Sequence, residues 1–227
     1  MNTDVILDYL MELERNNNRE FYHAHKKEYQ AAKAEFEALI QELIFRIGKT
    51  DGSVLGCVPG ELTFRLTRDT RFSHDKSPYN PAFRAHISGS GKLPVPVGYY
   101  LMIKPGGQSF LGGGLFADMF KEATAMVRDY IAAHPREWET VVQAEEFRAC
   151  FKVQGTALKQ VPAGYDREHP QAEFLKYKSW YLEYPVADEV IRDADGFLEL
   201  AETVFRKMKP FNDLMNRALD GFRMPER

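Results

Sequence analysis

Sulfur and long apolar runs are what this sequence has least of. Only Cys57 and Cys150 stand among its 227 residues, with no CxxC pair and no Cys/His spacing that builds a zinc site. That excludes a disulfide scaffold, and two buried reduced thiols are the expectation over one isolated bridge. No HExxH and no spaced carboxylate cluster is present, so neither a metal nor another cofactor is expected. No apolar stretch approaches the length of a membrane span. Asp4, Asp8 and Glu12 interrupt the segment in which a signal peptide needs its apolar core. A soluble, cytoplasmic protein with no membrane partner is the expectation. A formal net charge of −3 argues against a general binder of nucleic acid.

What is present is an ordinary globular composition, 44% hydrophobic and 28% charged, in a chain long enough to bury a sizeable core. Residues 1–50 are helical in pattern. Val5, Ile6, Tyr9, Leu10 and Leu13 fall at helical spacing behind a Thr3 or Asp4 cap, and the run Asn16 to Asn18 stops that helix. Tyr29, Phe36, Leu39, Ile40, Leu43, Ile44 and Ile47 predict a longer helix over Lys26 to Ile47, closed by Gly48.

From Glu61 the period becomes two. "ELTFRLT", "AFRAHIS" and the two halves of "VGYYLMIKPGGQSFLGGG" predict a four-stranded antiparallel meander over residues 60–115, with Gly112 to Gly114 ending the last strand. Helical spacing returns over residues 117–227: after Phe116, from Pro135 to Val142, and around Phe197 to Lys207 and Phe211 to Leu219. A loop-like stretch from Val153 to Pro170 and a short strand in "SWYLEYP" lie between. One α+β domain over 1–227 is expected, a central antiparallel sheet of four or five strands flanked by N-terminal and C-terminal helices.

Charge is unevenly spread. Between Leu62 and Lys104 seven basic residues face two acidic ones, a local +5 that leaves −8 for the remainder. Such a field concentrates small anions, while the acidic remainder opposes a long polyanion and makes nucleic acid an unlikely partner. Arg65, Arg68, Arg71 and Lys76 form a candidate site for phosphate or carboxylate oxygens, with Arg84, Tyr79 and Tyr100 as further ligand-binding candidates. If the first strand keeps its register, Arg65, Asp69 and Arg71 share a face. Asp69, Asp75 and His86 are the candidates for proton transfer. Against this, arginines and aspartates so close together can pair with each other and brace a turn, as Asp75 before Ser77-Pro78 suggests. Contiguous Ser73, His74 and Asp75 point in different directions along an extended chain and make no triad. His23 and His25 do not share a helical face, and Gly112 to Gly114 lack the spacing of a phosphate loop.

The stretch "RDTRFSHDKSPY" resembles the signature, approximately RDxRFSxDKxPY, of a family of conserved hypothetical proteins, a domain of unknown function. The match is carried by Arg68, Asp69, Thr70, Arg71, Phe72, Ser73, Asp75, Lys76, Pro78 and Tyr79. "NNNREFYHAHKKEY", "GYYLMIKPG", the triple glycine before a helix and "VPAGYDREHP" extend the resemblance over almost the whole chain. Tyr22 is a small departure, where the family favours Trp-Phe or similar aromatics. The resemblance implies an α+β domain and gives no residue a role. Two functions follow from the chemistry: a small-molecule enzyme or binder for an anionic ligand, or a protein-interaction module with an acidic partner in which the motif is structural.

Overall fold

Three consecutive asparagines do three different jobs near the start of the chain. The computed structural model describes residues 1–225, so the last two residues of the expected helical span lie outside the described residues. The chain opens with α1 (Thr3–Arg15), α2 (Arg19–Ala24) and α3 (Lys26–Gly48). Asn16 stops α1 by donating both its backbone N–H and its side-chain amide to Glu12 O. Asn18 caps α2 by accepting the Phe21 N–H at 2.8 Å. Asn17, between them, reaches Tyr79. The cap of α1 is Asn2, whose side chain accepts from Asp4 N, and Thr3 is the first, buried helical residue. The α3 periodicity holds, with Phe36, Leu39, Ile40, Leu43, Ile44 and Ile47 all buried. The short α2 buries no residue fully, and so presents no apolar stripe to read.

After α4 (Pro59–Leu62) come β1 (Phe83–Ile87), β2 (Tyr99–Ile103) and β3 (Ser109–Leu115). Next are α5 (Lys121–Ala133), α6 (Pro135–Val142), α7 (Glu145–Arg148), α8 (Ala172–Leu175), β4 (Trp180–Val186), α9 (Asp188–Arg192) and α10 (Ala194–Ala218). The fold is α+β, with one open antiparallel sheet in the order β1-β2-β3-β4. Among the described residues no helix is long and apolar enough to cross a membrane.

Four expectations need correction. "ELTFRLT" is not a sheet strand: it starts inside α4 and makes only isolated bridges, Thr63 to Ala85 and Thr67 to Tyr79. Its partner segment contains Pro78 and Pro81, which have no N–H to continue a ladder. The fourth strand is "WYLEYPV" instead. Gly112 to Gly114 lie inside β3, not at its end, and the next helix starts only at Lys121. The two expected C-terminal helices are one, because Phe205, Met208, Phe211, Leu214 and Met215 continue the buried stripe through Pro210. Cys57 and Cys150 are free as expected, but half-buried.

The described chain divides into two compact units. The first comprises Met1–Lys92, Tyr100–Leu111 and Pro185–Thr203. In it α1 packs on α3, and Phe36 stacks on Phe83 of β1 at 5.1 Å. Arg192 of α9 pairs with Asp4 and Asp8 of α1, and Glu202 of α10 takes Arg46 at 3.0 Å and Lys49 at 2.8 Å.

The second unit comprises Leu93–Tyr99, Gly112–Tyr184 and the described residues from Val204. Here α10 is fastened to extended backbone by two asparagines one turn apart. Asn212 accepts from Gly114 N at 2.8 Å and donates to Gly98 O at 3.0 Å. Asn216 makes the same pair of bonds with Val97 N and O. The glycines of β3 make room for this. A Cβ on Gly113 would stand 2.8 Å from Asn212 Oδ1, and one on Gly114, where φ is +85°, would collide with the Trp180 carbonyl.

Gly114→Ala is therefore expected to lower unfolding free energy by at least about 2 kcal/mol, the cost of a left-handed non-glycine residue with a backbone clash added. Urea unfolding checks this, with Gly52→Ala as a control, since a Cβ there meets nothing within 4 Å.

Candidate functional site

The signature stretch is a long hairpin loop. Asn80 N donates to Leu66 O at 2.7 Å and Arg68 N to Pro78 O at 2.9 Å, closing its base. Within the loop the charges find each other. Asp69 takes Arg71 through both carboxylate oxygens, at 2.6–3.1 Å, and accepts the Arg71 backbone N–H at 3.1 Å. Arg68 pairs with Asp75 and donates to Ser73 Oγ at 3.3 Å. Asp75 also accepts from Ser77 N at 2.9 Å and Ser77 Oγ at 2.6 Å. Lys76 Nζ donates to Thr70 O at 3.0 Å. The register of Arg65, Asp69 and Arg71 on one strand face is lost, because the chain leaves extended pairing after Thr67.

What positions this loop is Asn17. Its amide donates to Tyr79 O at 3.0 Å and its carbonyl accepts from Tyr79 N at 3.1 Å, the pattern of a neighbouring strand supplied by one side chain. Tyr79 then stacks on Tyr22 at 4.4 Å. Beside this clamp lies a polar cleft of about 440 Å³, lined by Glu14, Asn17, Arg68, Asp75, Ser77, Tyr79, Asn80, Pro81 and Lys104.

The cleft gathers three of the expected residues, Arg68, Asp75 and Tyr79. It does not gather the others. Arg65 and Arg71 are exposed. Arg84 lies over the Phe64 ring at 5.5 Å and donates to Arg65 O. Tyr100 packs on Phe110 at 5.6 Å and on Phe64 at 6.2 Å. His86 is 7% exposed, with Nδ1 3.2 Å from Gly91 O, because both faces of β1 are largely covered. Lys104, Glu14, Asn17 and Asn80 are additions. Lys104 is visible in the sequence only as one of the seven basic residues, Asn17 only within the helix stop, and Asn80 not at all. Glu14 carries no signal there at all.

Asp69 and Asp75 are held below the ordinary carboxylate range. For Asp69 the Arg71 side chain is the main cause; for Asp75 it is the Ser77 hydroxyl, then the Ser77 N–H and Arg68. Both are anions at neutral pH and poor proton donors. Among the described residues no group of three or more His, Cys, Asp and Glu is placed to hold a metal ion.

A carboxyl held low in the folded state stabilises above its unfolded value and loses that contribution as pH falls through the folded one. The Asp75 brace is thus expected to survive acidification past its ordinary 3.8 and to open only in stronger acid. Carbon-13 titration of its carboxyl checks this. Ser77→Ala should raise the midpoint more than Arg68→Ala, and the reverse order would make the ion pair the main brace.

No curated protein and no solved structure matches the chain. A family model does, over residues 5–214, which spans most of the sequence and includes the whole hairpin loop and the cleft beside it. The chain belongs to the family described as conserved hypothetical protein (DUF2461).

Proposed function

We propose that the cleft beside Asn17 and Tyr79 binds a small ligand through a phosphate or carboxylate group, with Arg68 and Lys104 receiving its oxygens. The observation that carries this reading is the convergence of Arg68 and Lys104, beside the carboxylates of Asp75 and Glu14, on one concave polar cleft, where a flat surface would favour a protein partner. Arg68, its side chain 28% exposed, spends its Nη1 and Nη2 groups on Asp75, Ser77 O and Ser73, while its Nε makes no hydrogen bond among the described residues. Lys104 follows β2 directly, and among the described residues its ammonium is held only by Gln108 Oε1 at 2.6 Å. A rigid strand end and a braced loop therefore present donors in fixed positions, the preorganisation an anion site needs. The role is binding. As general acids Asp69 and Asp75 would need a proton that neither holds at neutral pH, and as bases they are weakened by the bonds that hold them low.

A second reading, docking to an acidic partner protein, is favoured by one feature. Phe72 at the loop tip is 95% exposed, with the Arg71 guanidinium 5.9 Å from its ring centroid. An exposed aromatic beside arginine is the composition of an interface anchor.

Thermal shift and calorimetry with inorganic phosphate, nucleotides and di- and tricarboxylates separate the two. Stabilisation of the wild type, weakened about tenfold or more by Lys104→Ala and by Arg68→Ala but unchanged by Phe72→Ala, supports the cleft. Absence of stabilisation by every anion sinks it.

A further inference from the structure

A second cleft, of about 380 Å³, opens among α1, α2 and α3 in the same unit, and rings and carboxylates line it. Three rings line it, Tyr9, Phe21 and His25, and three carboxylates, Asp8, Glu12 and Glu28. No lysine or arginine does. We propose that this cleft binds an organic cation, a quaternary ammonium group whose apolar body lies on the rings while the carboxylates balance its charge.

The ring surface is fixed in place. Phe21 and His25 stack at 4.0 Å with their planes 21° apart, and His25 Nδ1 lies 3.0 Å from Phe21 O, which locks the imidazole to the last turn of α2. Aromatic faces attract cations through the negative potential over the ring, most effectively where water is partly displaced. The carboxylates exceed their local partners. Asp8 is taken by Arg192 at 3.0 Å and Glu12 by Arg15 at 2.8 Å, but Glu28 makes no hydrogen bond or ion pair among the described residues.

Tyr9 supplies an independent sign of an unfilled requirement, one that a hydroxyl carried by the ligand can meet and the ammonium itself cannot. The residue lines the cleft, is 5% exposed, and its hydroxyl has no hydrogen-bond partner among the described residues. Burial first, then the neighbouring tyrosines and Glu28, pushes the phenol up, so it stays neutral and the carboxylates alone carry the negative charge of the cleft. A small inorganic cation is the poorer occupant, because sodium or calcium needs a shell of oxygens and most of this wall is carbon. A quaternary ammonium, which has no N–H to satisfy, matches rings and carboxylates together.

Choline is the probe, and its uncharged carbon isostere 3,3-dimethylbutan-1-ol is the comparison, both titrated into the full chain by calorimetry and by ligand-observed NMR. Choline is expected to bind at least tenfold more tightly than the isostere. Glu28→Gln and Phe21→Leu should each weaken it about fivefold or more, whereas Glu61→Gln, a charge change on α4, should not. Glu28 is exposed, so its variant tests the charge without disturbing the core. Equal binding of choline and isostere overturns the proposal in favour of a merely apolar groove. Failure of choline to bind at millimolar concentration, or loss of binding in Glu61→Gln as large as in Glu28→Gln, overturns it as well.

Discussion

An extended backbone segment with no strand beside it must still pair its N–H and C=O, and at Tyr79 both partners come from the amide of Asn17. The candidate site hangs on that arrangement. It holds the end of the signature hairpin against the α1–α2 junction, where Tyr79 meets Tyr22 and where Ser77, Asn80 and Pro81 come to line the cleft. An asparagine is suited to the task because its amide carries the same donor and acceptor as a peptide group, at a similar separation. The second unit uses the device twice more, with Asn212 and Asn216 standing one helical turn apart on α10 and each closing on a stretch of backbone. Removing any one of these amides leaves a backbone donor and acceptor without partners, at a cost of about 1–3 kcal/mol for each buried group.

The same clamp places Tyr79 in a wall of tyrosines. Tyr79 stacks on Tyr22, Tyr22 lies 5.2 Å from Tyr29, and Tyr29 lies 5.8 Å from Tyr9. One end of this series faces the cleft of Arg68 and Lys104, the other the cleft of Glu28. Desolvation is the leading cause by which all four phenols are pushed up, so the wall is uncharged at neutral pH. An uncharged wall adds no charge of its own to either cleft. It also accounts for the aromatic density of "NNNREFYHAHKKEY", where the residues of α2 bury little yet supply Phe21 and Tyr22 to two different surfaces.

Much of the fold was legible in the sequence where one physical pattern dominated. The α3 stripe and the Pro135–Val142 helix follow from spacing and from proline at the first helical turn, and β1, β2 and β3 from alternation. The pattern misled where a local property was overridden by packing. "ELTFRLT" alternates perfectly well, but the prolines opposite it prevent a ladder. Proline at position 210 reads as a break, yet the buried stripe on either side carries α10 through it. The triple glycine reads as a strand end, and is instead the place where Asn212 and the Trp180 carbonyl need the space of a missing Cβ. That requirement belongs to residues distant in the chain, so no local window contains it. The site was legible only in part: Arg68, Asp75 and Tyr79 stand out in the signature, whereas Asn17 and Lys104 reach it from 62 residues upstream of Tyr79 and from the end of β2.

Density of charge in a sequence is a poor guide to charge available for binding. Residues two to seven apart in a loop meet at almost no cost in chain entropy, so Asp69 closes on Arg71 and Asp75 on Arg68 before any ligand is considered. Exposed pairs of this kind add little to stability, but they consume donors and neutralise the local field. Charges left over are those that make no ion pair among the described residues. Lys104 at a strand end, Glu14 on the last turn of α1 and Glu28 on the first turn of α3 are such positions. None lies in the signature, and each lines one of the two clefts. The signature's contribution is then geometric: it builds and braces the surface on which isolated charges from elsewhere in the chain become available to a ligand.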